Sequence, residues 1–212
     1  MVKSQHKESK EIIEKLIDAK IIPVIKIDSP QEAVPLARAL LQGGITVAEV
    51  TFRTDAAADG IAAIHAQVPE MLLGAGTVLT VENAQKAIDA GARFVVAPGF
   101  DPAVVDYVVG QGIAMIPGVA TPTEVSLALG RGLHILKFFP AEVLGGIKML
   151  DALAGPFPGV QFIPTGGITR SNMESYFRCK NVVAIGGSWM VQKDLVQVTE
   201  LSREAVSALR RD

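Results

Sequence analysis

Residues 91–140 read GARFVVAPGFDPAVVDYVVGQGIAMIPGVATPTEVSLALGRGLHILKFFP. Apolar runs of strand length, Phe94–Ala97, Ala114–Pro117 and His134–Phe138, alternate with helical patterns. Each unit is punctuated by glycine just before the next strand: Gly91, Gly110 with Gly112, and Gly130 with Gly132. Glycine just past a helix end takes the left-handed conformation without a Cβ penalty. Gly91, Gly112 and Gly132 recur about every 20 residues, the length of one compact strand–helix unit. Helix starts are marked as clearly. Thr121-Pro122-Thr123-Glu124 offers an N-cap, a proline at the first helical position and a capping-box glutamate, and Asp101-Pro102 repeats the first two parts. Strands apolar on both faces that alternate with helices belong to a buried parallel sheet.

The same grammar extends outward. Strand-length runs at Ile21–Ile25, Val47–Phe52, Met71–Gly74, Gln161–Pro164 and Val182–Ile185 bring the number to eight in 212 residues. Gly43-Gly44 ends another unit, and Ser29-Pro30-Gln31-Glu32 and Ser171-Asn172-Met173-Glu174 read as capping boxes. Eight strand–helix units predict a (β/α)8 TIM barrel in a single domain over 1–212. Glu11–Ala19, with Ile12, Ile13, Leu16 and Ile17 at helical spacing, predicts a lead-in helix, and 1–9 reads as a frayed tail. The competing fold is an open doubly wound sheet. Gly74-Ala75-Gly76 resembles half of a dinucleotide fingerprint, but the third glycine is missing.

Bulk properties narrow the functions. A net charge of −2 gives no argument for a nucleic-acid or membrane partner. No apolar run reaches the roughly 20 residues a spanning helix needs. One cysteine, Cys179, and a polar start without a signal sequence point to the cytoplasm. His6, His65 and His134 have no ligand spacing, so neither a metal nor another cofactor is expected.

In a barrel, chemistry collects at the C-terminal strand ends. Strand two ends Glu49-Val50-Thr51-Phe52-Arg53-Thr54, and alternation puts Glu49, Thr51 and Arg53 on one face. Val50 and Phe52 then face the helices. A carboxylate and a guanidinium on an interior face are either paired structurally or functional. Strand six places Lys137 and Phe139 on one face. Alone, Lys137 reads as a lysine that snorkels to water. Among Ile135, Leu136, Phe138 and Phe139 its amine loses hydration, which favours the neutral nucleophile that forms Schiff bases. Gly74-Ala75-Gly76-Thr77 is either a plain turn whose threonine begins the next helix, or a place where glycines let a ligand or backbone approach and Thr77 offers a hydroxyl. Pro98-Gly99 and Pro117-Gly118 read as stiff turns shaping a cavity wall. Glycine pairs end strands seven and eight, at Thr165-Gly166-Gly167-Ile168 and Gly186-Gly187-Ser188-Trp189. Barrels hold phosphate at those positions. Amine, carboxylate, guanidinium and anion seat together suit carbon–carbon chemistry through an iminium, with Lys137 forming the adduct, Glu49 moving protons and Arg53 matching a substrate carboxylate. A sugar-phosphate epimerase or isomerase and a catalytically silent phosphosugar-binding protein are the rival readings.

The motifs at 49–54, 74–78 (Gly-Ala-Gly-Thr-Val), 137–142 (Lys-Phe-Phe-Pro-Ala-Glu), 164–168 and 186–189 resemble those of the 2-keto-3-deoxy-6-phosphogluconate (KDPG) and 4-hydroxy-2-oxoglutarate (KHG) aldolases, a metal-independent class I family. The resemblance runs from about Pro23 past Trp189. It implies a homotrimeric barrel of the Entner–Doudoroff pathway acting on a phosphorylated 2-keto acid. It also implies Lys137 as the Schiff-base lysine and Glu49 as the proton-transfer group. Arg53 and Thr77 match pyruvate-carboxylate ligands, Gly166, Gly167 and Ser188 match the phosphate site, and Phe139 matches a pocket wall. Thr165 matches a position that influences choice between gluconate- and galactonate-derived substrates, and threonine looks like the gluconate type. Glu142 either touches substrate or orders the loop after strand six. Trp189 reads as packing.

Overall fold

Parallel strands ring the molecule. The computed structural model describes residues 2–209. Strands β1 (Ile21–Ile25), β2 (Val47–Thr51), β3 (Leu72–Gly76), β4 (Phe94–Val96), β5 (Ala114–Ile116), β6 (Gly118–Val119), β7 (Ile135–Phe138), β8 (Gln161–Pro164) and β9 (Ile185–Gly187) are the segments. They form two arcs, β5-β4-β3-β2-β1-β9 and β6-β7-β8. Every ladder is parallel. The arcs close at two seams. β5 and β6 are one strand broken at Pro117, which has no N–H for the ladder. Its carbonyl still accepts from the Lys137 amide at 2.9 Å. β8 and β9 meet through the bridges Phe162↔Val182 and Thr165↔Gly186. Nine segments therefore fill the eight strand positions of the expected (β/α)8 barrel.

The connecting helices are α2 (Pro30–Gln42), α3 (Ala57–Gln67), α4 (Val81–Asp89), α5 (Pro102–Gly110), α6 (Pro122–Leu129), α7 (Gly146–Ala154), α8 (Met173–Phe177) and α9 (Leu195–Ala208). Ser29, Asp101 and Thr121 cap their helices, with the reciprocal capping box formed at Thr121–Glu124 alone of the three. At Ser29 the side chain accepts from the Gln31 amide instead of closing a box. The box expected at Ser171 is absent. Asn172 stands at that helix start, and its side chain bonds the Thr169 amide and the Gly167 carbonyl instead. Gly44, Gly91, Gly112 and Gly132 all have positive φ where helices turn into strands.

Side-chain parity divides the core in two. Ile21, Ile25, Ala48, Val50, Leu73, Val95, Leu136, Phe138 and Phe162 point outward to the helices. Ile22, Val47, Phe94, Val96, Ala114, Ile116 and Ile163 point inward and fill the lower barrel. Gly74 belongs to that inner face. A Cβ there would lie 2.1 Å from the Phe94 ring, so the missing side chain is space that Phe94 occupies. β3 runs on to Gly76, beyond the Gly74 limit read from the sequence, because its ladder with β2 continues through Val50↔Ala75 and Thr51↔Gly76. The last strand begins at Ile185 rather than Val182, because Val182 makes only the isolated bridge to Phe162 while Ile185–Gly187 pairs with β1.

The N-terminal segment also differs from its expectation. Helix α1 spans Val2–Ala19, so residues 2–9, expected to fray, belong to the helix. The segment has no glycine or proline to break it, and Glu8 pairs with Arg93. Ile12 and Leu16 of α1 join the inner core and plug the N-terminal end of the barrel. Leu16 is wholly buried. Replacing it with alanine is expected to cost about 2–5 kcal/mol. Urea unfolding should show a lower midpoint with an unchanged slope.

Candidate active site

Above the apolar plug the inner face changes character. Glu49 on β2 is paired in register with Val24 and Gly74, and Lys137 on β7 with Gly118 and Ile163. Both side chains turn into the barrel, where Lys137 is 5% and Glu49 3% exposed. The Lys137 Nζ donates to Glu49 Oε1 at 3.3 Å. Two charges so far from water carry a desolvation penalty of several kcal/mol per ion that their attraction must offset. The pair is nevertheless isolated. No second ion pair touches either partner among the described residues. The amine also lies 5.4 Å from the Phe139 ring centroid, as expected from their shared face.

Gly76 makes this pairing possible. A Cβ at that position would sit 2.0 Å from Glu49 Oε1. The chain then passes through Thr77 with φ 56°, a left-handed conformation that a β-branched residue seldom adopts. Such backbone strain costs about 1–3 kcal/mol and concentrates at functional sites. The Thr77 hydroxyl has no protein hydrogen bond among the described residues.

A cleft of about 360 Å³ opens at the C-terminal strand ends. Thr51, Arg53, Phe139, Thr165, Gly166, Gly167, Gly187 and Ser188 line it, with Val24, Lys26, Ile168 and Val191. Thr51 is buried and its hydroxyl donates to the Ile25 carbonyl at 2.9 Å, so it ties β2 to β1. Arg53 is exposed and makes no ion pair among the described residues. Thr165 is buried, its Oγ1 filling the space beside Gly186. Gly166 and Gly167 follow with φ +97° and +80°. Their carbonyls are engaged, Gly166 by the Glu142 amide at 3.1 Å and Gly167 by the Asn172 side chain at 3.0 Å. Their amides meet no protein acceptor among the described residues. Successive backbone N–H groups in a turn are the donors from which anion-binding concavities are built. Ser188 is exposed at the end of β9, and the Trp189 ring packs under Gly187.

Thr77 and Pro98 stand outside that cleft. The Pro98 backbone instead packs against Gly118, the register partner of Lys137. Lys26 is the residue that reading the sequence missed. It follows β1 by one position on the inner-face parity of Ile22 and Val24, and it pairs with Asp28 at 2.5 Å. A larger hollow of about 740 Å³ lies at the opposite end, against α1, and holds none of these residues. Among the described residues no three His, Cys, Asp or Glu side chains gather as a metal-binding group. Among the same residues no helix is long and apolar enough to cross a membrane.

A parallel barrel with a buried amine–carboxylate pair and a glycine-lined cleft at its C-terminal strand ends holds the groups that covalent carbonyl chemistry uses. Comparison with known proteins narrows this class. The model of the KDPG and KHG aldolases matches residues 12–207. The 2-dehydro-3-deoxy-phosphogluconate aldolase of Treponema pallidum is 51% identical over 92% of this chain and 96% of its own length. The crystal structure of the Zymomonas mobilis 2-keto-3-deoxy-6-phosphogluconate aldolase with 3-phosphoglycerate superposes with a TM-score of 0.89 at 39% identity, covering 92% of this chain and 95% of that one. The Legionella pneumophila KDPG aldolase, with pyruvate captured as a covalent carbinolamine, gives 0.85 at 42% identity, covering 88% and 93%. The chain belongs to the KDPG and KHG aldolase family.

Gly76→Ala tests the packing that seats Glu49. The added methyl must displace the carboxylate, and a misplacement of about 1 Å can cost on the order of 100-fold in turnover. Steady-state cleavage assays on the folded variant are expected to show that loss mainly in kcat.

Proposed function

We propose that the protein cleaves 2-keto-3-deoxy-6-phosphogluconate to pyruvate and glyceraldehyde 3-phosphate through a Schiff base on Lys137. The observation that carries this reading is the buried Lys137–Glu49 pair at 3.3 Å. An amine with one carboxylate neighbour can hand over its proton and act as nucleophile, and the carboxylate can then move that proton through the cycle.

The steps balance without a co-reactant. Lys137 Nζ attacks C2 of the keto acid to give a carbinolamine, and loss of water leaves the iminium. Glu49, directly or through water, handles these protons. Deprotonation of the C4 hydroxyl breaks the C3–C4 bond, and the electron pair moves into the iminium to form an enamine. Glyceraldehyde 3-phosphate departs. Protonation of the enamine at C3 and hydrolysis return pyruvate and the free amine. The Legionella relative, caught with pyruvate as a carbinolamine, supports the first covalent step.

Arg53, by its place in the cleft, and Thr77, by the family resemblance, are the proposed ligands of the substrate carboxylate. The Gly166–Gly167 amides, Gly187 and Ser188 seat the phosphate, and Lys26 adds positive charge at the same mouth. Phe139 walls the cleft beside the amine. Pro98 acts at one remove, through Gly118. Thr165, fixed against Gly186, favours the gluconate-derived epimer. KHG, which lacks phosphate, leaves the anion seat unused and is cleaved to pyruvate and glyoxylate more slowly. We further propose a cytoplasmic homotrimer, as the family resemblance implies. Exposed Leu79 and Val81, after β3 at the mouth end, are apolar surface for a neighbouring copy to cover.

Incubation with pyruvate and borohydride should add one reduced pyruvate adduct to the chain, mapped by mass spectrometry to Lys137. An adduct elsewhere, or none, would sink the mechanism. Light scattering should return three times the 22.4 kDa chain mass, whereas the mass of one chain would exclude the trimer.

A further inference from the structure

Glu142 is the one charged side chain of the Lys137–Glu142 motif to which the proposed cycle gives no task. A carboxylate beside an anion seat repels the ligand, so its presence there needs another reason. Its surroundings supply one. The Glu142 amide donates to the Gly166 carbonyl at 3.1 Å, and the preceding Ala141 amide to the Thr165 carbonyl at 2.9 Å. Its side chain lies in the space that a Cβ on Gly167 would fill, 2.5 Å from Glu142 Cγ. The carboxylate is held at its far end, where the Tyr176 hydroxyl donates to Oε1. Tyr176 is 1% exposed, and the same two groups crowd the Cβ position of Gly146 at the start of α7. Burial, then the Glu142 carboxylate, keep the Tyr176 phenol protonated well above its ordinary range, so it remains a donor throughout the working pH range.

We infer that Glu142, braced by Tyr176, is a positioning residue that holds the Gly166–Gly167 turn in its anion-binding shape and thereby sets preference for phosphorylated substrates. Glu142 touches no reacting atom in this scheme. It acts on the turn from behind, while Asn172 holds the Gly167 carbonyl from the other side at 3.0 Å. The Thr165 carbonyl shares its peptide plane with the Gly166 N–H, and the Gly166 carbonyl with the Gly167 N–H, so the Ala141 and Glu142 backbone bonds orient both amides while the Glu142 side chain, packed beside Gly167, keeps the turn seated on them. Loss of the strut lets a turn of two consecutive glycines, the most flexible dipeptide available, sample other conformations. The effect falls on phosphate recognition and spares the Lys137–Glu49 pair, whose hydrogen bond does not involve Glu142.

The inference rests on the proposed phosphate seat, and the experiment separates failure of one from failure of the other. Kinetics on KDPG and on phosphate-free KHG should be compared for Glu142→Ala, Glu142→Gln, Tyr176→Phe and Ser188→Ala. Glu142→Ala is expected to raise KM for KDPG about tenfold, the equivalent of one charge-assisted hydrogen bond, with kcat/KM for KHG held within about twofold. Glu142→Gln, whose amide oxygen can still accept from Tyr176, should restore most of the loss. Tyr176→Phe should reproduce part of it. Equal losses on both substrates would reduce Glu142 to a stabilising residue and overturn the inference. So would an unchanged KDPG/KHG ratio in Glu142→Ala while Ser188→Ala lowers it. If Ser188→Ala also leaves the ratio unchanged, the phosphate seat itself is misplaced.

Discussion

The constraint on which the site depends is the burial of one positive and one negative charge, Lys137 and Glu49, inside a barrel otherwise filled with hydrocarbon. Desolvation opposes it, and the contact at 3.3 Å lies just beyond the usual N–H···O range, so attraction offsets the cost only in part. The sequence tolerates the cost through what lies around the pair. Gly76 leaves space for the carboxylate and Phe139 gives the ammonium a π face. Below both, the apolar plug keeps water out of the lower barrel, so solvent reaches the pair from the mouth alone. A replacement by hydrophobic residues of similar volume would pack at least as well. That ionisable groups stand there instead is an argument for chemistry over stability.

Division of labour along the barrel axis follows from this. The lower inner layers, Ile22, Val47, Phe94 and Ile163 with Leu16 of α1, contribute stability. In the proposed mechanism the upper layer supplies the reacting groups and the strand-end turns supply recognition. Register ties the three together. Gly118, Lys137 and Ile163 are cross-strand partners, so a slip of one residue at β7 would turn Lys137 out to the helices and bring an apolar neighbour inside. Leu136 and Phe138, buried against the outer helices, oppose such a slip.

Much of this was legible in the sequence because a parallel barrel repeats its signals. Strand-length apolar runs separated by capped helices gave eight strand positions, and the period of two sorted Glu49, Thr51 and Arg53 from Val50 and Phe52. What stayed hidden depends on partners from other strands. Gly74 and Gly76 read as a turn or as room for a ligand, yet they make room for Phe94 and Glu49, whose approach no local pattern announces. Lys26 sits one residue past β1 beside Asp28 and Ser29, a setting indistinguishable from an ordinary polar loop. Ser171 matched a capping box, but Asn172 had the stronger claim because its amide can serve Thr169 and Gly167 together. The polar start of α1 reads as a frayed tail, whereas the helix continues through it and Glu8 pairs with Arg93, a partner far off in sequence.

The floor built by α1 has an evolutionary side. A vessel sealed at one end by a helix that shares no residue with the reactive mouth can change its substrate without renegotiating its foundations. Duplicated copies could drift in the β1, β7, β8 and β9 turns, trading a phosphate handle for a carboxylate or an alcohol, while Ile12 and Leu16 went on seating the same barrel. The breadth of aldehydes that one such scaffold could come to handle is then limited by loop chemistry far sooner than by folding.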